Sequence, residues 1–289
     1  MQQMTIPTYA KINLSLDVVG KRESGYHDLK MVMQSVSLHD DVTVERTGGT
    51  EISLTCNVPH VPCNESNIAA KAALRFFEAL GKQEGVRIHL EKRIPMAAGL
   101  AGGSGNGAGV LLALNEMYGR PFSPERLREV GLTVGADVPF CLLGGTALAE
   151  GLGEVLTPLP LLPDCAILLV KPRFNISTVR VFTQLNWRAV RYHPDTKGLI
   201  RQLTAGAVGS TARHMYNVLE TVTATEHPEI NDIKSKMVDL GAEGSIMSGS
   251  GPTVFGIFTD EDKAQAALSY FSKRYDQSFL CRPTGPVSL

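Results

Sequence analysis

Apolar and polar residues alternate along the first part of the chain. Ile12, Leu14 and Leu16 recur at every second position within residues 4 to 19, which is the period of a half-buried strand. The segments MVMQSVSLHDDVTVE and EISLTC have a similar character and are separated by a turn, TGGT. We therefore predict that the chain opens with a layer rich in strands.

The period becomes helical in the next segment. Apolar residues recur at intervals of four from Ile68 to Leu80, and Ser66 or Asn67 can cap the free N–H groups at the helix start. A further alternating strand is predicted over residues 86 to 92.

The second half is set apart by prolines. Three of them fall in TPLPLLPD, residues 157 to 164, and predict a boundary between domains over residues 1–157 and 158–289. Strands then alternate with helices, which favours an α+β fold in two packed lobes. We predict helices in PERLREVG, near 178–186, 195–205, 212–225 and 228–240, and in DKAQAALSYFSKRY, with strands in CAILLVK, SIMS, TVFGIF and SFLCR.

Composition narrows the class of protein. The 28 Lys and Arg residues are balanced by 29 Asp and Glu residues, so a nucleic-acid partner is disfavoured. Apolar residues make up 43% of the 289 positions, enough for a buried core. No apolar run approaches the roughly 18 residues of a membrane span, and the start lacks the pattern of a leader peptide. We expect a cytoplasmic protein whose five scattered cysteines are free thiols.

The strongest chemical signal is GLAGGSGNGAG, residues 99 to 109, which leads into an apolar helix ending near Tyr118. Glycines let several backbone N–H groups approach one anion, and a helix start carries about half a positive charge. A phosphate is therefore the ligand that this segment predicts. The alternative is a flexible glycine loop. No Walker A motif occurs, and a dinucleotide-binding match at Gly103, Gly105 and Ala108 lacks the strand and acidic residue that such a site needs.

Three other segments are indecisive alone. Lys11 in AKIN lies on an alternating strand, where a solvated charge is the ordinary interpretation. Asp137 in GADVPF enters an apolar setting and must find a partner, but it could simply cap a helix or shape a turn. The Gly-Ser segment SGSGPTVF, residues 248 to 255, could be an ordinary tight turn.

The order of these four segments resembles the GHMP kinase superfamily, which includes galactokinase and the homoserine, mevalonate and phosphomevalonate kinases, over nearly the whole chain. The stretches AKINLSLDVVGKRESGYHDL, IPMAAGLAGGSGN, GADVPF and MSGSGPTVF resemble the branch that uses ATP to phosphorylate the 2-hydroxyl of a cytidine diphosphate sugar alcohol on the non-mevalonate route to isoprenoids. The resemblance implies an ATP-binding lobe like ribosomal protein S5, followed by a ferredoxin-like substrate lobe.

The resemblance also implies residue roles on the nucleotide side. Pro95 would set the entry of the loop, adenine would lie near Asn67 and Ile68, and Lys92 would line that pocket. Mg²⁺ is implied as the companion of the nucleotide. The ATP phosphates would be held by Gly99, Leu100, Ala101, Gly102, Gly103, Ser104 and Asn106.

On the acceptor side, the resemblance implies a catalytic pair, Lys11 and Asp137, in which the carboxylate accepts the proton of the substrate hydroxyl or orients its oxygen. Tyr26 and Phe182 would sandwich the cytosine, although ordinary packing would also explain both rings. The remaining substrate contacts would come from His27 at the polar edge of the base, and from Asn13 and Thr178 at the sugar alcohol and diphosphate. The alternative to a role of His27 in binding is that it is an exposed residue of a turn.

One position departs from the family pattern. Many members carry Ser-Ser-Asp or Ser-Ser-Asn in this loop, whereas this chain has Gly105 between Ser104 and Asn106. Two alternatives therefore stay open: another GHMP small-molecule kinase, such as homoserine kinase, or a nucleotide-binding paralogue without this activity. We expect a monomer or weak homodimer whose ligands are small molecules.

Overall fold

The computed structural model describes residues 2–288 and contains two β-sheets with helices packed on them. The strands are β1 Gln3–Lys21, β2 His27–Arg46, β3 Ile52–Cys56, β4 Val86–Glu91, β5 Thr146–Gly151, β6 Val155–Leu159, β7 Ala166–Lys171, β8 Tyr216–Asn217, β9 Gly244–Met247, β10 Val254–Phe258 and β11 Gln277–Cys281. The helices are α1 Ile68–Leu80, α2 Gly102–Met117, α3 Pro124–Val134, α4 Val138–Leu143, α5 Thr178–Gln184, α6 Thr196–Thr204, α7 Val208–Arg213, α8 Glu220–Glu226, α9 Glu229–Asp239 and α10 Glu261–Phe271.

The first sheet is organised around a long antiparallel hairpin of β1 and β2. Its strand order is β3-β4-β2-β1-β8, and β5 pairs with the first part of β2 and with β6. The even-numbered residues Ile12, Leu14 and Leu16 are all buried, as the period-2 pattern predicted. The strand-rich opening is confirmed.

The second sheet has the order β11-β7-β10-β9, with every neighbouring pair antiparallel. Its inner strand β7 is buried at each of its six positions, which explains its continuous apolar sequence. The α+β class is confirmed. No helix within residues 2–288 is long and apolar enough to cross a membrane, and all five cysteines are free thiols.

The chain passes from the first sheet to the second between β6 and β7, within or beside the predicted boundary at 157–164. The later half nevertheless returns to the first sheet, because β8 pairs in parallel with β1. Pro283 and Pro286 also bridge to Val36 and Gly144. The division into two domains at residue 157 stays a prediction.

Two local predictions were wrong. The single helix predicted over 212–225 is instead α7, β8 and α8. The buried side chain of Asn217 interrupts it, since this amide donates to the Met247 and Gly249 carbonyls and accepts from Leu219 N–H. Such bonds hold the backbone extended where local propensity favours helix.

The glycine-rich run was expected to be loop, but α2 already begins at Gly102. Close packing explains its glycines. A Cβ placed on Gly109 would lie 2.4 Å from Thr8 Cγ2, and one on Gly107 would lie 2.8 Å from Ile68 Cγ2. These glycines therefore allow α2 to approach β1 and α1, and they are not part of the loop itself.

Candidate active site

A short loop leads from β4 into α2, and we call residues 95–101 the phosphate loop. Ala97, Gly99 and Ala101 have left-handed backbones, with φ of 49°, 75° and 57°. No side chain caps the start of α2, and its first turn holds no acidic residue. The N–H groups at the helix start are therefore available to an anion, and the helix dipole favours one there.

The later Gly-Ser segment packs directly on this loop. The Ser248 hydroxyl donates to the Gly99 carbonyl at 3.0 Å. A Cβ on Gly99 would lie 2.2 Å from the Ser248 carbonyl oxygen, so any larger residue would separate the two segments. The two glycine motifs, almost 150 positions apart in sequence, thus form one surface.

Lys11 and Asp137 come together beside this surface. The Lys11 N–H donates to the Leu100 carbonyl at 3.1 Å, which joins β1 to the phosphate loop. Its ammonium donates to Asn13 Oδ1 at 2.8 Å and lies 4.0 Å from Asp137 Oδ2. The Lys11 side chain is buried, whereas that of Asp137 is 35% exposed and makes no capping bond. A fixed cation thus faces a carboxylate that solvent and ligands can reach.

Ser104 lies at the same end of α2. A Cβ on Gly135 would lie 4.0 Å from the Ser104 hydroxyl, which puts Ser104 beside the segment that carries Asp137. Pro95 and Leu100 are buried and fix the loop from inside. Gly105 differs from its neighbours, because a Cβ there would lie 3.6 Å from both Thr8 Cβ and the Tyr9 carbonyl. That position faces β1 rather than the open side of the loop.

The predicted cytosine-binding residues form a second cluster. The His27 ring stacks on Phe182, with centroids 5.4 Å apart and an interplanar angle of 28°. The structure therefore pairs Phe182 with His27, whereas the predicted sandwich placed it opposite Tyr26. Tyr26 is 66% exposed on the turn between β1 and β2. At the start of α5, the Thr178 hydroxyl lies 2.8 Å from the Ser250 hydroxyl.

His27 is 8% exposed, so its interpretation as an exposed turn residue was wrong. Its Nε2 has no hydrogen-bond partner among the described residues. Burial, and then the charge of Lys21, lower the pKa of His27. The ring is therefore a neutral group at pH 7, with one buried nitrogen that has no partner among the described residues.

Of the residues expected near adenine, Ile68 lies against the start of α2, whereas the polar side chains of Asn67 and Lys92 are bonded to other protein groups. Ile68 lies against the start of α2, since a Cβ on Gly103 would be 3.5 Å from its Cδ1. Asn67 caps α1, because its Oδ1 accepts from Ala69 N–H and its Nδ2 donates to the Pro62 carbonyl. The Lys92 ammonium points into the interior, where it contacts Asp40 and Asn106.

The Asn106 side chain makes its contacts within the protein. Its amide is buried and bonded to Lys92 and Asp40, and its predicted place at the ATP phosphates stays a prediction. Sequence reasoning missed Asp40, although a signal existed. Asp40, Val42 and Val44 occupy alternate positions of β2, so their side chains lie on the same face of the strand. A carboxylate on such an apolar face must have buried partners.

Comparison with known proteins places these clusters in a class. Residues 67–145 match the family model described as GHMP kinases N terminal domain, and residues 199–277 match that described as GHMP kinases C terminal. The two-lobed fold is therefore that of a GHMP small-molecule kinase. A homoserine kinase from Cytophaga hutchinsonii superposes with a TM-score of 0.79 over 99% of this chain and 96% of that one, but at 20% identity it shows likeness of fold alone.

Closer relatives define the branch. The chain is 47% identical over 279 residues to a 4-diphosphocytidyl-2-C-methyl-D-erythritol kinase from Clostridium beijerinckii, covering 96% of this chain and 99% of that one. A kinase of the same name from Acetivibrio thermocellus is 47% identical over 270 residues, covering 93% and 94%. A crystal structure of 4-(cytidine 5'-diphospho)-2C-methyl-D-erythritol kinase superposes with a TM-score of 0.82 at 34% identity, over 98% of this chain and 100% of the other. The chain belongs to the family of 4-diphosphocytidyl-2-C-methyl-D-erythritol kinases.

Proposed function

We propose that this chain transfers the γ-phosphoryl group of ATP to the 2-hydroxyl of 4-diphosphocytidyl-2-C-methyl-D-erythritol, a step in non-mevalonate isoprenoid synthesis. The observation that carries this proposal is the reachable Asp137 carboxylate, 4.0 Å from the Lys11 ammonium and beside the phosphate loop. The family relationship supports the choice of acceptor.

The reaction needs positioning more than strong base catalysis, because phosphoryl transfer passes through a loose transition state. The acceptor oxygen forms a bond to the γ-phosphorus, the bond from that phosphorus to the β-phosphate bridging oxygen breaks, and ADP leaves. Asp137 accepts the proton of the hydroxyl group. Lys11, held by Asn13 at 2.8 Å, supplies fixed positive charge beside the reacting groups.

ATP is proposed to bind through main-chain groups of the phosphate loop and of the start of α2. The contributing residues are Gly99, Leu100, Ala101, Gly102, Gly103 and Ser104, with Pro95 setting the entry. Ile68 and Asn67 stand next to this surface and would border adenine. Lys92 and Asn106 would support the loop from beneath, since their side chains bond to Asp40.

Mg²⁺ is proposed to enter with the triphosphate. The Ser104 hydroxyl at the start of α2 would hold it together with phosphate oxygens of the nucleotide, because Mg²⁺ takes few ligands from the protein and shares those of the phosphates. Within residues 2–288, no group of three or more His, Cys, Asp or Glu side chains could hold a metal by itself. When bound, the ion neutralises charge on the phosphate oxygens.

The cytidine end is proposed to bind at the Tyr26, His27 and Phe182 cluster. The unpartnered Nε2 of buried His27 can bond to the base, and the exposed Tyr26 ring can stack on it. Asn13 is bonded to the Lys11 ammonium and Thr178 contacts Ser250 of the Gly-Ser segment, and these two residues are proposed to meet the sugar alcohol and the diphosphate. We further propose a cytoplasmic monomer or weak homodimer without a nucleic-acid partner, consistent with the balanced charge.

The test is ADP release by the purified protein with Mg-ATP, with and without 4-diphosphocytidyl-2-C-methyl-D-erythritol. We expect release that requires this alcohol and is competed by CDP. Turnover on homoserine, without competition by CDP, would indicate another GHMP kinase. ATP binding without turnover on either alcohol would indicate a nucleotide-binding paralogue and end the proposal.

A further inference from the structure

A buried carboxylate lies beneath the phosphate loop and joins its two ends. Asp40 Oδ1 accepts from the backbone N–H groups of Arg93 and Ile94, at 2.6 and 2.8 Å, where β4 runs into the loop. Asp40 Oδ2 accepts at 2.5 Å from Nζ of Lys92, which is next to Arg93 at the loop entry, and at 2.9 Å from Nδ2 of Asn106, in α2 on the other side of the loop.

This cluster is closed to solvent. The side chains of Asp40 and Lys92 are 0% and 6% exposed. A buried charge costs free energy unless it is paired and hydrogen-bonded, and here four donors meet one carboxylate. The Lys92 ammonium also lies directly under the helix start, since a Cβ on Gly102 would be 3.2 Å from it. The cluster is thus built against the surface that faces the phosphates.

We infer that Asp40 is a positioning residue that fixes the phosphate loop for ATP. The inference rests on the proposed function only in taking this loop as the ATP site. Ala97 and Ala101 adopt left-handed backbones, which non-glycine residues hold only when their surroundings impose them. Asp40 imposes the distance between the loop entry at Arg93–Ile94 and the helix at Asn106, so the N–H groups between them point to one place.

Asp40→Asn tests the charge while keeping the shape. The new amide has one acceptor and one donor end, so whichever way it turns, its NH₂ group faces other donors. We expect the dissociation constant for Mg-ATP, measured by calorimetry, to rise about ten- to a hundredfold, as when an outer partner of a binding group is lost. The Arg93 and Ile94 amides should also exchange hydrogen faster.

Asp41→Asn is the matched control. It removes a carboxylate from the adjacent position, where Asp41 Oδ2 accepts from the Arg93 guanidinium at the surface, 2.8 Å away. We expect ATP affinity to be unchanged. Equal weakening by both variants would show that general loss of negative charge, rather than the buried contacts, changes the affinity, and would overturn the inference.

Exchanging the two groups separates positioning from folding. In the double variant Asp40→Asn with Asn106→Asp, the amide at position 40 can accept both backbone N–H bonds and donate to the carboxylate at position 106, which also pairs with Lys92. We expect ATP affinity to recover to within about threefold of wild type. A double variant that folds but binds ATP no better than Asp40→Asn would refute the inference. A residue needed only for stability would lower the melting temperature and leave ATP affinity per folded molecule unchanged.

Failure of the proposed function can be distinguished from failure of the inference about Asp40 by measuring ADP release as well as ATP affinity. In that case wild type would release no ADP with the cytidine alcohol, while the ATP affinities of the three variants would still rank as described.

Discussion

The two ends of the candidate site present different chemistry. At the phosphate loop, the polar side chains of Asn67, Lys92 and Asn106 are bonded to protein groups, so the backbone is left to meet the ligand. At the cytidine end, the Tyr26 ring is 66% exposed and His27 Nε2 lacks a partner among the described residues. One end offers main-chain groups held by a buried network, and the other offers side chains.

This difference predicts how substitutions will act. A change at the phosphate end should act through backbone position, and so should affect both folding and ATP binding. A change to the exposed ring at the cytidine end should affect only the acceptor. Asp137, the proposed proton acceptor, should affect neither affinity.

Asp137→Asn should have the largest effect. It keeps the shape but removes the proton acceptor, so we expect turnover to fall about 10²- to 10⁴-fold with ATP affinity unchanged. Steady-state kinetics would measure turnover, and calorimetry would measure ATP affinity. Asp276→Asn, which changes an exposed carboxylate paired with Arg173, is the control and should leave both unchanged. Turnover near wild type in Asp137→Asn would remove this residue from the mechanism.

Tyr26→Ala should weaken binding of the cytidine substrate by about 1–3 kcal/mol, the range of base–aromatic stacking. ATP affinity should not change, since the ring lies on the turn between β1 and β2. Tyr270→Ala removes another half-exposed ring, from α10, and should change neither affinity. If Tyr26→Ala weakens the binding of ATP instead, the nucleotide end and the cytidine end of the site have been assigned the wrong way round.

Gly109→Ala tests whether the phosphate end is set by backbone packing. Its Cβ would lie 2.4 Å from Thr8 Cγ2, so α2 must move away from β1. We expect a loss of about 1–3 kcal/mol in the free energy of unfolding, measured by urea denaturation, as for other overpacked sites. Gly105→Ala lies on the same helix with contacts no closer than 3.6 Å and should not destabilise the chain. Equal destabilisation by both would contradict the packing account.

The pH dependence sharpens the description of the cytidine end. Because burial and Lys21 lower the pKa of His27 in the folded chain, the unfolded chain takes up a proton first as the pH falls through about 6.5. Folded stability should therefore decrease below that pH. Melting temperatures at pH 7.5 and 5.5 should differ less in His27→Gln than in wild type. His60→Gln, at an exposed histidine, should retain the wild-type difference.

The sequence predicted the elements that local chemistry determines. The α1 helix has the predicted Asn67 cap and ends at Leu80, and α3 Pro124–Val134 covers the predicted helix PERLREVG. The candidate site was located by motif order, and the structure brings Lys11, Asn13 and Asp137 together. Those roles stay predictions.

Long-range contacts were beyond the sequence pattern. In β8, Asn217 is bonded to the Gly-Ser segment. The residues around Asn217 have no alternation of apolar and polar positions that would predict this strand. The glycines of α2 suggested a loop, whereas contacts with Thr8 and Ile68 require their small size. Asp40 was missed because its partners lie more than 50 positions away.

Gly105→Ser should have the smallest effect. From the family pattern alone, restoring a hydroxyl in this loop should raise activity if the missing group holds phosphate or Mg²⁺. In the structure, position 105 faces Thr8 and the Tyr9 carbonyl, both 3.6 Å from a Cβ placed there. The hydroxyl would therefore meet β1 and donate to that carbonyl. We expect turnover within about threefold of wild type, since isolated changes with room for the new group have small effects. A gain of tenfold or more at saturating Mg²⁺ would show that the serine reaches the ligand, and that the loop adopts another conformation when ATP is bound.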